Sequence, residues 1–212
     1  MQIESGGNLM KHKIDMRNSP RRAHFEYFLR MANPFVGVTV NVDATELVAA
    51  CRREGRSFYA AMIHAAARAA NRVPELRRRI IDGEVWEYDI CPTSHIELLD
   101  SDAYCYCTLR HDLDGDTYFQ YAAQARAAAV QRAEINEDGD PDSMLFITCL
   151  PWIHYTALVQ PTGDDSNPRI SWGKYECDAR GRQMLPVTLL AHHGLVDGVN
   201  LGQFYTELQK EL

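Results

Sequence analysis

The chain has 212 residues, 46% of them apolar and 24% charged. That balance excludes disordered and collagen-like classes, and a domain of this length buries roughly 70% of its unfolded surface, enough for a core without staples. With 22 basic against 29 acidic residues the net charge is −7, which argues against nucleic-acid and acidic-membrane partners and requires a local cluster of donors for any anionic ligand. The longest apolar stretch, Phe58 to Ala70, carries His64 and Arg68 and falls short of the ~20 apolar residues of a membrane span. The opening MQIESGGNLMKHK lacks the apolar core of a secretory signal. Residues 1–11 read as a flexible extension and 12–212 as one domain. Six cysteines, at 51, 91, 105, 107, 149 and 177, form no Cys-x-x-Cys pair, so reduced thiols in a cytoplasmic protein are expected. Cys105 and Cys107 share a strand face and read as packing, since no second pair stands at metal-ligand spacing.

In chain order, Ser19 and Pro20 open a helix that runs to about Arg30. FVGVTVNV (35–42) alternates, with Val36, Val38, Val40 and Val42 on one face, and predicts a half-buried strand. Asp43 and Glu46 form a capping-box pattern for a helix that stops at Gly55. Ser57 caps a longer alanine-rich helix to about Arg72. RRIIDGEVWEY (78–88) is a hairpin around Asp82-Gly83. Strands follow near His95–Leu99 and Ala103–Leu109. DLDGD (112–116) is then a turn before a helix over 117–132, because Ala123 falls where a calcium loop needs its bidentate glutamate. NEDGDPD (136–142) is a hydrophilic loop. The last third predicts strands at 144–149, 154–160, 169–176 and 183–192, and a final helix from about Leu201. The pattern is one α/β domain with a mixed sheet.

AHHGLVDG (191–198) lies between an apolar strand and that last helix, where backbone can hold a histidine rigidly at a cleft. Gly194 and Gly198 permit tight turns, and Asp197 is placed to anchor the loop. Spacing alone leaves catalysis, core packing and metal ligation open for these histidines, although adjacent residues on extended chain point apart and one metal rarely takes both.

HHGLVDG resembles the His-His-x-x-x-Asp-Gly signature of the chloramphenicol acetyltransferase family, which is related to the acyltransferase cores of 2-oxo-acid dehydrogenase complexes. Four further segments are similar in order and spacing: PRRAHFEYF (20–28), FYAAMIHAAARAANRVPELRRRI (58–80), ITCLPWIHY (147–155) and SWGKYE (171–176). The resemblance implies an α/β fold, a mixed β-sheet sandwich with flanking helices, and CoA-dependent O-acetylation of a small-molecule hydroxyl. His193 is then the general base, a role suited to an imidazole with a pKa near neutrality. Thr148 stands at the family's oxyanion-binding serine. Ser171 replaces the family's threonine that supports this site through a bound water and counts among the cofactor-binding positions, and Asp197 forms a buried pair with Arg21 of the first helix. Tyr59, Lys174 and Tyr175 match CoA-side positions; the family's lysine near Tyr59 is Ser57 here, with Arg56 as its substitute. Tyr27, Phe28 and Met31 fall where the family presents apolar surface to its antibiotic. CPTSHIELL (91–99) departs from the family's aromatic stretch and leaves the acceptor's identity open. The implied co-substrate is acetyl-CoA, with no metal, and the implied assembly is a homotrimer in which each histidine faces a neighbour's pocket. LPVTLLAHHGLV would then lie at a subunit boundary, and HYTALVQ would extend a sheet across it. Two other readings are a non-catalytic trimeric drug-binding relative and a dihydrolipoamide acyltransferase core, the latter lacking here its lipoyl domain and Pro/Ala-rich linker.

Overall fold

The computed structural model describes residues 9–100 and 102–212. The first half runs β1 (Lys11–Ile14), α1 (Arg22–Phe28), β2 (Phe35–Asp43), α2 (Thr45–Glu54), α3 (Phe58–Asn71), β3 (Arg78–Ile81), β4 (Glu84–Tyr88), β5 (Thr93–Leu98) and β6 (Tyr104–Leu109). The second runs α4 (Gly115–Arg132), β7 (Leu145–Cys149), β8 (Arg169–Trp172), β9 (Glu176–Cys177), β10 (Gln183–His192) and α5 (Gly198–Glu211).

Local chemistry sets most boundaries. The Ser57 hydroxyl accepts the Ala60 N–H at 3.3 Å and caps α3. Asp43 accepts the Thr45 backbone N–H at 3.1 Å and starts α2, which ends at Gly55 in the left-handed region. Asp82 and Gly83, with φ of 53° and 76°, make the tight turn between β3 and β4. α1 begins two residues later than expected: the Ser19 hydroxyl accepts from Arg21 N, and Pro20 and Arg21 remain in a turn.

Among the described residues ten strands form two sheets. The smaller is β1-β4-β3; the larger is ordered β2-β10-β8-β7-β5-β6, with β9 alongside β10. β5, β7 and β8 are parallel neighbours, and the other pairings are antiparallel, so the sheet is mixed as expected. Its apolar face carries Val42, Val187, Leu189, Ile170, Trp172, Leu145 and Ile147, all in the core with residues of α3, α4 and α5. Arg68 of α3 and Arg72 just past its end pair with Glu211 of α5 and clamp the two helices together. Cys105 and Cys107 are buried in that core. The DLDGD carboxylates turn outward to arginines: Asp114 to Arg68 and Asp116 to Arg56. Among the described residues no helix is long and apolar enough to cross a membrane.

Three expectations are corrected. Residues 9–11 belong to the fold rather than to an extension: Lys11 pairs with Tyr88, and the Met10 carbonyl accepts the Asp89 N–H at 3.0 Å. The rest of that expectation, residues 1–8, lies outside the described residues. HYTALVQ forms no strand within the chain; β7, the strand just before it, is already paired on both sides, by β5 and by β8. The strand expected over 169–176 breaks after Trp172, where a Cβ on Gly173 would stand 2.5 Å from the Ile153 carbonyl oxygen.

Several histidines are held neutral by this core. Burial lowers the pKa of His64, His95 and His192 and pushes His111 down to about 4. The unfolded chain therefore takes up protons below pH 6.5 that native His111 refuses until about 4. Stability is complete above that window and is lost as pH falls through it. Denaturant midpoints should drop between pH 6.5 and 4, and His111→Asn should flatten the slope; an unchanged slope would show that His111 carries none of it.

Candidate active site

β10 delivers its last residue, His192, to a turn in which the His192 carbonyl accepts from Leu195 N and Val196 N at 2.9 and 3.0 Å. A Cβ on Gly194 would crowd the His192 ring at 3.0 Å and Phe25 at 3.3 Å, so a side chain there would push on the packing around His192. Gly198 meets nothing within 4 Å, so the steric reason expected there is absent. The His192 ring is buried; its Nδ1 accepts the Gly194 N–H at 3.1 Å, and its edge meets Phe35.

His193 is held differently. Its backbone N–H donates to the Pro34 carbonyl at 2.7 Å, and its Nδ1 lies 2.9 Å from the Val196 carbonyl oxygen. A carbonyl only accepts, so Nδ1 carries the proton and Nε2 keeps its lone pair. Phe28 stacks on the ring at 3.9 Å with an interplanar angle of 16°. Phe28, expected as acceptor surface, thus supports the imidazole, while Tyr27 packs edge-on against Phe28. Tyr27 and Met31 are 60% and 38% exposed, so two large side chains stand open on the segment that carries Phe28.

Asp197 does two things. Its Oδ1 accepts the Val199 N–H at 3.0 Å, and Asn200 Oδ1 accepts the Asp197 N–H at 3.0 Å, a reciprocal cap that starts α5 earlier than expected. Its Oδ2 accepts from Arg21 Nη1. Burial works against the charge, yet the Arg21 guanidinium and the Val199 N–H hold the carboxyl below its ordinary range. The pair forms as expected but is not buried within one chain, at 26% and 38% side-chain exposure.

The opposite face of the sheet carries a row of hydroxyls. Thr148 pairs in register with Ser171, Ser171 with Thr188 and Thr188 with Thr39, across β7, β8, β10 and β2. Gln160, from the irregular connection between β7 and β8, bridges two of them. Its amide N–H donates to Thr148 Oγ1 at 3.1 Å, and its carbonyl accepts from Ser171 Oγ at 2.9 Å. With a lone pair of Thr148 so occupied, the Thr148 proton is free for another acceptor. A run of β-prone residues gave no signal for Gln160, nor did the sequence mark Asn200 as half of the cap. The same connection exposes Trp152, Ile153 and Val159, the last by 93%.

Thr148 and His193 do not meet within one chain. From the level of Thr188, His192 lies four residues along β10 and Thr148 two strands across. With about 3.3 Å per residue and about 4.8 Å per strand, the His192 and Thr148 Cα atoms lie roughly 16 Å apart.

The third group sits around the start of α3. Tyr59 is half-buried; its hydroxyl donates to the Ile96 carbonyl at 3.0 Å, and its ring lies between His95, Trp172 and the Arg126 guanidinium. Burial pushes its phenol up. Tyr175 packs edge-on against Phe58, with Lys174 exposed beside it. Arg56, expected to substitute for a lysine, is taken by Glu54 at 2.6 Å and Asp116 at 2.7 Å.

The family profile of chloramphenicol acetyltransferase matches residues 9–209. A chloramphenicol acetyltransferase of Streptomyces acrimycini is 28% identical over 203 residues, covering 92% of this chain and 91% of that one. A solved chloramphenicol acetyltransferase superposes with a TM-score of 0.80 at 26% identity, over 97% of this chain and 100% of the other. A probable dihydrolipoamide acetyltransferase from Listeria monocytogenes shares the fold, with a TM-score of 0.69 at 14% identity over 94% and 92% of the two chains. The agreement runs the length of the chain and through the loop that holds His193: the protein belongs to the chloramphenicol acetyltransferase family and is an acyltransferase.

Proposed function

We propose that the protein transfers acetyl from acetyl-CoA to a hydroxyl of a small molecule, with His193 Nε2 as general base. The observation that carries this is the Val196 carbonyl on Nδ1, which fixes the tautomer whose bare nitrogen accepts a proton. As the acceptor oxygen bonds to the thioester carbon, its proton passes to Nε2. The carbon–sulfur bond then breaks and the same proton goes to the departing CoA sulfur. The carbonyl oxygen is negative in between and takes a hydrogen bond from Thr148, whose lone pair is already engaged by Gln160. No metal enters these steps. The setting is cytoplasmic, and chloramphenicol is the first acceptor to test.

The span between His193 and Thr148 is too long for both to reach one carbon within a chain. The reading therefore includes a homotrimer in which the His193 of each protomer faces the Thr148 of the next, a closed cyclic arrangement. Tyr27 and Met31 beside one half, and Trp152 and Ile153 beside the other, are the exposed apolar surface such an interface covers. Arg21–Asp197 then positions the loop, and Ser171 acts through Gln160.

Coupled thiol release from acetyl-CoA tests the chemistry. His193→Ala should abolish turnover and leave CoA affinity unchanged. Thr148→Ala should lower kcat about 10²–10³-fold, the typical effect of a lost oxyanion donor, whereas Thr148→Ser should keep most of it. Wild-type turnover in Thr148→Ala would refute its role. Chelators should leave turnover unchanged; loss that zinc restores would overturn direct base catalysis.

Assembly has its own test. Mixing His193→Ala and Thr148→Ala chains, unfolded and refolded together, should give more activity than either alone, because mixed trimers contain one intact site. A fully active monomer in solution scattering would defeat the shared site.

A further inference from the structure

The hydroxyl row opposite the core divides into two sets. Thr39 and Thr188 meet through their hydroxyl oxygens at 2.7 Å, and Thr188 donates to the Tyr155 hydroxyl at 3.3 Å. Thr39 is therefore the donor to Thr188, and this set hands its protons toward Tyr155, away from Ser171. The second set is Ser171, Gln160 and Thr148. Ser171 Oγ donates to the Gln160 carbonyl at 2.9 Å, and the Gln160 amide N–H donates to Thr148 Oγ1 at 3.1 Å.

Burial fixes the direction of this second chain. Ser171 is fully buried, and among the described residues the Gln160 carbonyl is the one acceptor for its proton. A reversed amide would leave that proton unpaired in the interior, a cost of about 1–3 kcal/mol. With the amide set by Ser171, its N–H points at Thr148 and occupies a lone pair there. Thr148 is only half-buried, so its proton is the one the chain can leave for a substrate. Bonds aligned in this way polarise one another in the same sense. The backbone serves the same end: Pro161 restricts Gln160 to extended geometry, so Val159 turns out to solvent while Gln160 turns in.

We propose that Gln160 is a positioning residue that makes Thr148 a hydrogen-bond donor, and that Ser171 sets the direction of the Gln160 amide. The proposal rests on the acetyl-transfer reading above and deepens it by assigning what aims the Thr148 proton at the oxyanion. The task needs a side chain that accepts on one side and donates on the other, which an amide does and a carboxylate does not. Gln160 acts through Thr148 and transfers no proton.

Steady-state thiol release from acetyl-CoA, with chloramphenicol and a panel of alcohols as acceptors, tests the direction. Gln160→Leu should lower kcat about three- to tenfold, the effect of one lost neutral hydrogen bond, and leave the acetyl-CoA KM unchanged. Gln160→Glu keeps the shape but only accepts, so it should draw the Thr148 proton to itself and lower kcat about 10²–10³-fold, as far as Thr148→Ala does. In the Thr148→Ala background Gln160→Leu should cost nothing further. Tyr155→Phe, which releases the same crossing from Thr188, should keep the wild-type kcat, and denaturant midpoints should show each variant folded. A Gln160→Glu no worse than Gln160→Leu, a Gln160→Leu loss that persists in full without the Thr148 hydroxyl, or an equal loss in Tyr155→Phe would overturn the proposal. An impaired Thr148→Ala beside Gln160 variants that turn over like wild type would leave the acetyl-transfer reading standing and remove this inference alone. A Thr148→Ala that turns over like wild type, or a wild type that releases no thiol with any acceptor, would remove both.

Discussion

β10 is gripped on both sides. It runs antiparallel to β2 from Met184 to His192 and to β8 from Val187 to Leu190. A strand fixed at both flanks cannot slide, since a slip of one residue would turn Val187 and Leu189 out of the core. The point at which the chain leaves the sheet is therefore fixed, and so is the place of His193. From there each constraint hands on to the next. The turn closes on the His192 carbonyl, the Val196 carbonyl meets the imidazole, Asp197 caps α5, and Arg21 ties the cap to α1, which brings Phe28 onto the ring. The same backbone that ends a strand and starts a helix sets a histidine's tautomer. The Nδ1 partner is a backbone carbonyl, where the serine-protease arrangement has a carboxylate.

The two faces of the sheet serve different ends. One is apolar and lies beneath α3, α4 and α5. The other carries the hydroxyl row from Thr39 to Thr148, and Gln160 reaches down onto it. Threonine and serine suit both demands there, because a β-branched or small side chain fits a strand while its oxygen stays available. The proposed trimer uses this division: one protomer's strand end meets another protomer's hydroxyl face, and neither is complete alone.

What could be read from residues alone follows the range of the interactions. Ser57, Gly55 and Asp82-Gly83 act within a few residues, and their caps and turn stand where the pattern puts them. β2 and β10 carry alternation strong enough to be seen, and the His-His-x-x-x-Asp-Gly loop marks itself by its order. The failures need partners far along the chain. HYTALVQ alternates like a strand, but pairing needs a partner strand beside its path, and its chain neighbour β7 is flanked by β5 and β8. The break at Gly173 depends on the Ile153 carbonyl. Gln160 gains its meaning only from the register of Thr148 and Ser171, and the Phe28 stack only from where α1 docks. That Arg56 is taken up by Glu54 and Asp116 depends likewise on how α2 and α4 come together.

Because β7 and β8 lie parallel and adjacent, no tight turn can join them: the chain must return the length of the sheet before it re-enters. Residues 150–168 make that return without a helix or strand. This obligatory crossing carries Gln160 onto the hydroxyl row and spreads Trp152, Ile153 and Val159 over the outside. A segment whose path is demanded by topology, but whose side chains are held by no sheet ladder, is free to change composition while the fold persists. Substitution in this crossing away from Gln160 leaves the register of β10, and with it the place of His193, untouched.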